Sequence, residues 1–568
     1  MWTSRTGRRW ELTPAAPPVI EALRATLGLL PLTARVLAAR GHDVGSATAF
    51  LMPLEGPLHD PFVLLGLPRA VERIERAVAN SEHIRLVTDY DVDGTTSCLI
   101  LHAALDRRIH AAGSRAVVSY HVPDRFREGY GLSALAVETA AADGVNLLVT
   151  ADIGVRDHAT VSQARAAGLD VIVVDHHLPS GESVPADAYA VVCPPQAGCP
   201  YPNKALAACG VSLKLATALL ADDPRRDDVL RSLFKLAAIG TVADVVDLST
   251  PENRGIVARG LRALNADRHG PGLAALLEVA GAAPGKLDAG ALGFRIGPRI
   301  NAAGRLKDAN AVVRLLRERD PASAKAQAHA LDGLNRERQG IQEDLAAAAM
   351  ARIPDPTPGF VVVWGPEEEG WHRGVVGIVA SKVRDRVHRP AAVVAVLGSV
   401  ATGSIRSVPA VHAVRALDAV ADLLVRYGGH AAAAGFTVPA EKLPELATRL
   451  AAWVDANAGA EDLVPVEAVD ATTSGAAITL ALLEELERLE PCGKGNPSAR
   501  IVVEGAITGI RVVKDRHIFF QIDGADAVWW GGADQRELLS GARAVLGTVG
   551  LNEWNGRTNA RITVEDVA

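Results

Sequence analysis

The chain has 568 residues and a formal net charge of −7, with 49% apolar, 22% charged and 4% aromatic residues. This length exceeds one ordinary hydrophobic core and predicts two to four domains, while the composition excludes a largely disordered chain and the negative charge argues against a protein that coats nucleic acid. Because no run approaches the roughly 20 apolar residues of a membrane helix, and no signal-peptide core follows the N-terminus, we expect a cytoplasmic protein without membrane contact.

The first half of the chain predicts a helical segment followed by a parallel sheet. Residues 1–80 form the helical segment, which contains proline breaks. From His83 to about Cys193, short apolar runs such as HIRLV, NLLVT and VIVV alternate with amphipathic stretches. This alternation is typical of βαβ units with helices on both faces of a parallel sheet. Residues 205–320 look mainly helical and complete a domain predicted over 81–320.

The second half predicts a connecting helix and two smaller domains. The stretch 321–353 is rich in Ala, Gln, Glu and Arg, and as one helix it would span about 45 Å before three prolines end it. Residues 354–460 begin with the apolar run FVVVWG and predict a smaller α/β domain. In residues 461–568, alternating patterns punctuated by Gly and Asp predict a β-barrel such as an OB-fold. The predicted fold class is therefore α/β, with a C-terminal β-barrel added.

Acidic clusters follow three of the predicted strands. They are Asp89, Asp91 and Asp93 in RLVTDYDVDG, Asp152 in LLVTADIG, and Asp175, His176 and His177 in VIVVDHH. A fourth cluster, Asp244 and Asp247 in GTVADVVDL, follows a helical stretch. Because the carboxyl ends of parallel strands meet at one edge of a sheet, we expect these side chains to converge there.

The converging residue types point to divalent cations. Packed carboxylates repel one another, and a bound cation removes that repulsion. Aspartate with histidine suits Mn²⁺ or Mg²⁺, and the five cysteines contain no CxxC pair that would predict a zinc site or a disulfide framework. Two such ions about 3.5–4 Å apart can activate water for attack at phosphorus. Each cluster alone has a simpler interpretation, such as Asp93 as a helix cap, but their shared placement favours the metal site.

The clusters resemble the motifs of the DHH phosphoesterase superfamily in DYDVDGTTS, TADIG, VDHH and GTVADVV. Further stretches are similar to those of the RecJ family of single-stranded-DNA-specific exonucleases, namely HVPDRFREGYGLS, FRIGPRINAAGRL, GWHRGVVGIVASKV, GSIRS, GGHAAAAGF and LEPCGKGNP. The resemblance covers roughly residues 60–500 and implies a DHH domain over 81–320, a DHHA1 domain over 354–460 and an OB-fold after it. The chain departs from the family at Ile153, where the second motif usually has asparagine.

The resemblance implies a role for each residue of these clusters. The implied metal ligands are Asp89, Asp91 and Asp152 for one ion, and Asp93, Asp152, His176 and Asp244 for the other. His177 would face the scissile phosphate as a charge stabiliser or proton donor. Asp175 would orient the two histidines, a support that metal-ligating histidines commonly need.

The implied DNA-binding residues lie in the other motifs: Arg125 in DRFREGYG, Arg299, Asn301 and Arg305 in GPRINAAGR, Ser404 and Arg406 in GSIRS, and Gly429 and His430 in GGHAAAAGF. Arginine offers phosphate a planar fork of donors, and glycine lets backbone N–H groups approach it. We expect Ser404, Arg406 and one arginine of GPRINAAGR to hold a 5′-phosphate. Each arginine alone is more often a surface charge, and GGHAAAAGF alone favours a tight turn before a helix.

Aromatic residues are concentrated in the last predicted domain of this aromatic-poor chain: Phe519, Phe520, Trp529, Trp530 and Trp554. Some are expected to stack on bases of a trailing strand and most to pack in the core.

The sequence thus predicts an exodeoxyribonuclease that uses Mn²⁺ or Mg²⁺ to remove 5′-mononucleotides from the 5′ end of single-stranded DNA, in repair and recombination. The acidic clusters predict hydrolysis. Polarity and DNA preference come from the resemblance, as do a single-strand-binding protein and a helicase as candidate partners. Two alternatives stay open: a related phosphodiesterase for short RNA, cyclic dinucleotides or pyrophosphate, and an inactive relative that serves as a replication scaffold.

Overall fold

The computed structural model describes residues 2–125, 127–181, 183–266, 268–306, 308–554 and 557–568, apart from the side chains of residues 554 and 557. Its N-terminal elements are β1 (Trp2–Thr3), β2 (Arg9–Leu12), α1 (Pro17–Leu27), α2 (Pro31–Ala39) and α3 (Val44–Leu51). Among the described residues, no helix is both long and apolar enough to cross a bilayer.

A parallel sheet forms the centre of the next domain, as the alternating apolar runs predicted. Its strands are β3 (His83–Thr88), β4 (Val117–His121), β5 (Leu147–Ala151), β6 (Asp170–Val174) and β7 (Ala190–Val192). They lie in the order β4-β3-β5-β6-β7, with every pair parallel. The strands are nearly continuous apolar runs because helices cover both faces of the sheet.

The helices of this domain are α4 (Leu67–Ala79), α5 (Val92–Ala111), α6 (Ala134–Ala142), α7 (His158–Ala166), α8 (Ala208–Leu219), α9 (Arg226–Ala243), α10 (Pro251–Ala266), α11 (Pro271–Val279), α12 (Ala289–Ala291), α13 (Gly297–Leu306) and α14 (Asn310–Arg317). A π-helical segment, Leu292–Ile296, joins α12 to α13. Helices α4, α5 and α8 share a core with one face of the sheet, and α6 and α7 pack on the other. Helices α9 to α14 enclose an adjoining core.

Helix α15 (Pro321–Ala351) connects two hydrophobic cores, as predicted for the stretch 321–353. Asp320 caps its first turn, with its side chain accepting a hydrogen bond from the Ser323 N–H. Leu331, in the first half, is buried in the core of α9 to α14, whereas Leu345 is buried in the core of the following domain. The helix therefore fixes the separation of the two lobes.

The second lobe is a mixed α/β domain. It contains β8 (Val361–Pro366), α16 (Val376–Val387), β9 (Ala391–Leu397), β10 (Val400–Arg406), α17 (Ala413–Asp418), β11 (Arg426–Gly429), β12 (Ala433–Pro439) and α18 (Leu443–Asn457). The strands lie in the order β11-β12-β10-β9-β8, with only β8 and β9 parallel. Helix α16 packs on one face with the end of α15, and α17 and α18 cover the other face.

The C-terminal domain is built mainly from strands: β13 (Val466–Val469), β14 (Ala471–Ser474), α19 (Leu480–Glu487), β15 (Ile501–Glu504), β16 (Ile507–Val513), β17 (His517–Ile522), β18 (Ala525–Trp529), β19 (Ala544–Trp554) and β20 (Arg557–Val567). Seven of them form a sheet in the order β14-β15-β19-β20-β18-β17-β16. These strands are OB-like, although no pairing among the described residues closes the sheet into a barrel.

The N-terminal segment is divided between two cores. Helices α1 to α3 share a core with the C-terminal sheet, and β2 pairs in parallel with β13. Helix α4 instead packs in the core of the parallel-sheet domain. The sequence pattern indicated only helices over 1–80, because a strand whose partner lies at the other end of the chain leaves no local signal.

Candidate active site

The acidic clusters lie where the strand order of the parallel sheet reverses. Asp89 follows β3 and Asp152 follows β5, and these two strands are neighbours although β4 lies between them in the chain. The two loops leave the sheet toward helices on opposite faces, which opens a crevice at the carboxyl ends of the strands. Asp175 follows β6, the next strand along. Sheet topology therefore brings the first three motifs together.

The first motif places its three aspartates in different surroundings. Asp89 is 5% exposed, and Asp91 caps α5 by accepting a hydrogen bond from the Gly94 N–H at 3.0 Å. Asp93 is buried and accepts hydrogen bonds from the backbone N–H groups of Ala208 (2.7 Å) and Cys209 (2.8 Å), at the start of α8. Helix capping thus does occur here, but a carboxylate oxygen that accepts one hydrogen bond keeps a second lone pair for a cation.

The second motif holds Asp152 in an unusual backbone conformation. Its φ is +66°, in the left-handed region, while its N–H still bonds to the Val174 carbonyl at 3.0 Å. Such a conformation in a buried non-glycine residue persists only when the surroundings enforce it, and it is found mostly at functional sites. The following residue, Ile153, is buried among apolar side chains beneath the sheet, which accounts for an apolar residue where the family has asparagine.

Asp175 organises the third motif. Its Oδ1 accepts hydrogen bonds from the backbone N–H groups of His176 (2.7 Å) and His177 (3.1 Å) and lies 2.8 Å from His177 Nδ1. Its Oδ2 accepts one from the Val155 N–H at 3.0 Å. Burial alone would raise the pKa of Asp175, but these bonds and the charge of His177 hold it below its ordinary value. Asp175 is therefore a fixed anion that orients both histidines.

His176 joins the motifs into one cluster. Its Nε2 lies 3.3 Å from Asp152 Oδ1, 3.6 Å from Asp244 Oδ2 and 3.9 Å from Asp93 Oδ2. Three overlapping groups of residues could each hold a cation, because the ligand atoms within each group lie within 4.8 Å of one another. The groups are Asp89, Asp91 and Asp152; Asp93, His176 and Asp244; and Asp152, His176 and His177. Asp247 is not among the metal-capable groups of the described residues, and its Oδ1 instead accepts a hydrogen bond from the Ser249 N–H.

The charges and burial of this cluster favour the binding of cations. Burial, followed by the charges of neighbouring aspartates, raises the pKa of Asp89 and Asp152 well above the ordinary value and that of Asp244 to about 9. Burial lowers the pKa of His176, which favours the neutral form that binds metals. Asp89 Oδ1, Asp152 Oδ1 and His176 Nε2 are buried without a hydrogen-bond partner. Oxygen and imidazole donors in this arrangement fit two Mn²⁺ or Mg²⁺ ions.

One of the predicted arginines, Arg305, lies close enough to the acidic cluster for the charge of Asp91 to act on it. Arg305 is largely buried, and its Nη1 donates a hydrogen bond to the Gly374 carbonyl at 3.0 Å, which links α13 to the segment before α16. Burial, and then the charges of Arg125 and Arg338, lower the pKa of Arg305 to about 10, while the charge of Asp91 opposes this shift. Arg305 therefore sits in an excess of positive charge beside the acidic cluster.

Ser404 and Arg406 project from the same face of β10, as alternation along a strand requires. Arg406 Nη1 donates a hydrogen bond to Ser404 Oγ at 2.9 Å. A side chain at Gly377, in the first turn of α16, would come within 3.1 Å of Ser404 Oγ and 3.2 Å of the Arg406 guanidinium. Glycine is needed there so that the helix N-terminus can approach both groups.

The remaining predicted DNA-binding residues are more dispersed. The Arg299 guanidinium bonds to Asp332 on α15 at 2.9 Å and also to the Arg295 carbonyl. Arg125 lies 5.2 Å over the Tyr90 ring, and its charge acts on Asp89. Asn301 is half-buried on α13, outside the metal-capable groups of the described chain.

GGHAAAAGF forms a hairpin of β11 and β12 rather than a turn before a helix. Gly429 has a φ of +149°, and a side chain there would collide with the backbone of Ala433 and Ala434. His430 is exposed at the tip. The tip lies beside the strand that carries Arg406, because Arg406 pairs with Ala433.

Sequence reasoning missed Tyr130 and Lys494. The Tyr130 hydroxyl lies 3.2 Å from His177 Nε2 and 3.4 Å from the Asp152 carbonyl oxygen, to which it donates. Lys494 lies close enough for its charge to oppose the rise in the pKa of Asp244. Both residues stand in stretches already recognised as motifs, GYGLS and PCGKGNP, but only tertiary structure brings them to the cluster.

The described aromatic residues of the C-terminal domain divide equally between its core and a surface groove, whereas most were expected in the core. Phe520 and Trp529 are buried in its core. The Phe519 and Trp530 rings meet edge to face at 5.8 Å, with the Arg561 guanidinium 5.5 Å over Trp530, and they line a groove. The side chain of Trp554 lies outside the described residues.

Comparison with known proteins identifies three domains. Family models match for the DHH family, N-terminal domain over residues 83–241, the DHHA1 domain over 357–456 and the RecJ OB domain over 469–566. The single-stranded-DNA-specific exonuclease RecJ of Bacillus subtilis is 35% identical over 576 residues, which cover 99% of this chain and 71% of that protein.

Solved structures show the same architecture. RecJ of Thermus thermophilus in complex with Mn²⁺ has a TM-score of 0.82 and 30% identity, covering 99% of this chain and 80% of that chain. The same protein in complex with Mg²⁺ has a TM-score of 0.76 and 29% identity, covering 98% and 78%.

Proposed function

The chain belongs to the RecJ family of single-stranded-DNA-specific exonucleases, and we propose that it hydrolyses single-stranded DNA from the 5′ end, using two divalent cations, to release 5′-mononucleotides. The observation that carries this proposal is the set of overlapping ligand groups around Asp152 and His176; within each group, the ligand atoms lie within 4.8 Å of one another. DNA repair and recombination are the processes in which the RecJ family acts.

Asp152 is the proposed bridging ligand. It belongs to a ligand group with Asp89 and Asp91, and its Oδ1 lies 3.3 Å from His176, which belongs to a second group with Asp93 and Asp244. When bound, the two cations would lower the pKa of a water molecule and neutralise charge on the phosphoryl oxygens. The backbone N–H groups of Ala208 and Cys209, at the start of α8, fix the orientation of the Asp93 carboxylate. Burial raises the pKa of Asp93, and the hydrogen bond from Cys209 opposes this rise.

His177 is the proposed group that faces the scissile phosphate. Burial would lower its pKa, but the hydrogen bond to Asp175 and the charge of that residue outweigh burial and raise it. A protonated imidazole can donate to a phosphoryl oxygen or to the leaving oxygen. Tyr130, whose hydroxyl is within 3.3 Å of the His177 ring nitrogens, would help to hold the ring.

A phosphate pocket would account for cleavage from the 5′ end. We assign it to Ser404, Arg406 and Arg305, with the N-terminus of α16 supplying backbone N–H groups. Two observations support the inclusion of Arg305: its Nη1 donates to the Gly374 carbonyl just before α16, and the charges of both Asp91 and Arg406 act on it. A pocket that holds the terminal phosphate at a fixed place fixes which bond reaches the metals.

The other DNA-binding residues receive distinct assignments. The exposed tip at Gly429 and His430 would border the phosphate pocket, and Arg125 with Asn301 would contact the strand beside the metals. Arg299 is engaged by Asp332, so we assign it to holding α13 against α15 instead of to the phosphate. The groove at Phe519 and Trp530 would stack bases of the trailing strand.

A digest of labelled oligonucleotides tests the function. We expect mononucleotides to be released in Mn²⁺ from a single strand bearing a 5′-phosphate, with little product from blunt duplex or from a strand blocked at its 5′ end. A strand blocked at its 3′ end is the matched control and should be degraded normally. Equal cleavage of both blocked strands would contradict the polarity.

Short RNA, a cyclic dinucleotide and pyrophosphate serve as competing substrates in the same digest. Faster turnover of any of them would favour a related phosphodiesterase, and failure to bind Mn²⁺ would favour an inactive scaffold. In the cell, we propose that a helicase supplies the single strand and that a single-strand-binding protein delivers it. Stimulation of the digest by each purified protein on its cognate DNA would test these partners.

A further inference from the structure

Phe294 is an aromatic side chain that the fold holds in solvent. It is 85% exposed, the highest value among the exposed large apolar side chains of the described residues. It lies within the π-helical segment Leu292–Ile296, and the residues at both ends of this segment are completely buried in the core of α9 to α14. Because both ends are anchored inward, the segment presents Phe294 outward.

The segment lies against the end of α9, next to the acidic cluster. A side chain at Gly293 would come within 3.4 Å of Val242 Cγ1, and one at Gly297 within 3.6 Å of Ala243 Cβ. Asp244 directly follows Ala243 in the chain. The residue after it, Val245, is 57% exposed and has a φ of +57°. An exposed apolar edge therefore borders the metal-binding residues.

The same edge leads toward the C-terminal domain. Lys286, a few residues before the segment, pairs with Glu553 on β19 at 3.0 Å. The Leu248 N–H donates to the Lys494 carbonyl at 2.8 Å, which joins the loop after α9 to the C-terminal domain. The region around Phe294 thus lies beside the stretch that carries Asp244 and is joined to the domain that would receive the rest of the strand.

Two basic residues on and next to the segment are engaged by other groups of the protein. Arg295 Nε donates to the Ala280 carbonyl at 3.2 Å, and the Arg299 guanidinium is held by Asp332. Phe294 is the most exposed large apolar side chain of this surface among the described residues. An aromatic face binds every base by stacking, without sequence preference, as an exonuclease requires.

We propose that Phe294 is a positioning residue that stacks on one base of the DNA strand as it leaves the metal site toward the C-terminal domain. The inference rests on the proposed nuclease function. Loss of one base–aromatic stack should weaken the binding of single-stranded DNA by roughly 5- to 150-fold. The effect should appear in KM, with a smaller change in kcat, because the ring does not touch the reacting atoms.

Steady-state digestion of the full-length protein in Mn²⁺ with Phe294→Ala and Phe294→Trp tests this role. The alanine variant should show the raised KM, and the tryptophan variant should restore a KM near that of the wild type. Phe62→Ala is the matched control, because Phe62 is a 48% exposed phenylalanine on a different part of the surface. Its KM should equal that of the wild type.

A scan with strands that carry a single abasic position identifies the stacked base. For the wild type, an abasic site at one position should raise KM by the same factor as the Phe294→Ala substitution does. An abasic site at that position should not raise the KM of Phe294→Ala any further. The inference is overturned if Phe294→Ala matches the wild type, or if the variant responds to the scan as the wild type does. A wild-type protein that does not degrade single strands would overturn the proposed function instead, and this inference with it.

Discussion

Replacing Asp152 by asparagine (Asp152→Asn) separates charge from shape at the centre of the acidic cluster. Asp152 is 2% exposed and has a φ of +66°, and asparagine enters this left-handed region as readily as aspartate does. The amide also matches the carboxylate in size. We therefore expect the backbone and the packing to be preserved, so that any change reports the lost charge.

The magnitude follows from the neighbouring charges. Burial, and then the charges of Asp91 and Asp93, raise the pKa of Asp152 well above its ordinary value. Two unit charges about 4 Å apart interact by about 4 kcal/mol at an effective dielectric constant of 20. Protonation already relieves part of the repulsion, so the metal-free variant should gain about 1–2 kcal/mol in the free energy of unfolding. When metal is present, the variant lacks the carboxylate charge that would bind both cations. The rate of DNA hydrolysis should therefore fall at least about 10³-fold, which corresponds to about 4 kcal/mol.

Calorimetric titration with Mn²⁺ and thermal unfolding with and without the ion measure both effects. For the wild type, a free Mn²⁺ concentration of 100 times Kd should stabilise the folded state by about 2.7 kcal/mol. The variant should lose this increment while unfolding at a higher temperature than the metal-free wild type. Asp247→Asn is the matched control, because Asp247 lies outside the metal-capable groups of the described residues and should keep wild-type Mn²⁺ binding. Wild-type rates in Asp152→Asn, or a less stable metal-free variant, would refute the reasoning.

Three further predictions concern pH, end recognition and domain attachment. In the metal-free protein the pKa of Asp244 is raised to about 9, so the folded chain keeps a proton that the unfolded chain releases near pH 4. The free energy of unfolding should therefore fall between about pH 4 and 9. Thermal melting in a chelator should show this fall, more weakly in Asp244→Asn, and a rise with pH would contradict it. Arg406→Ala should raise KM roughly 10- to 100-fold for strands with a 5′-phosphate and much less for those with a 5′-hydroxyl. Arg299→Ala is the control and should leave the ratio of the two KM values unchanged. An equal rise of KM for both kinds of strand in Arg406→Ala would argue against the pocket. Arg254, which is buried and donates to the carbonyls of Phe50 and Pro491, attaches the C-terminal domain, so Arg254→Met should cost about 2–4 kcal/mol in thermal unfolding without changing Mn²⁺ affinity. An unchanged melting temperature would show that these bonds contribute little.

Residues that converge at the carboxyl ends of the parallel strands were predictable from the sequence. Asp89, Asp152 and Asp175 each come directly after the last residue of a strand, and β3, β5 and β6 are consecutive strands in the sheet. Sheet topology then requires the three side chains to meet, whatever the loops do. Hydrophobic periodicity and the position of the aspartates carry all of this information, so a single sequence suffices for it.

The group that each arginine side chain binds was not predictable in the same way. Arg299 and Arg305 stand six residues apart in one helix, yet Arg299 pairs with Asp332 on α15 while Arg305 reaches the Gly374 carbonyl in the other lobe. Both partners lie in segments whose placement depends on how the two lobes are joined. The pairing of β2 with β13 likewise depends on contacts distant in sequence.

The opposed charges of the acidic cluster and of the nearby arginines would connect the proposed hydrolysis with recognition of a strand end. Burial and like charges destabilise the ionised carboxylates around Asp152, and they also destabilise the cation of Arg305. Each group gains most from a partner of opposite sign: cations for the aspartates and phosphates for the arginines. A strand whose terminal phosphate lies at Arg305 and Arg406, and whose next phosphodiester lies at the metals, satisfies both at once. A phosphodiester in the middle of a strand carries one charge fewer than a terminal phosphate and must continue past the pocket, so it compensates the arginines less well. We infer that the cost of burying these charges, more than a steric stop, favours the strand end.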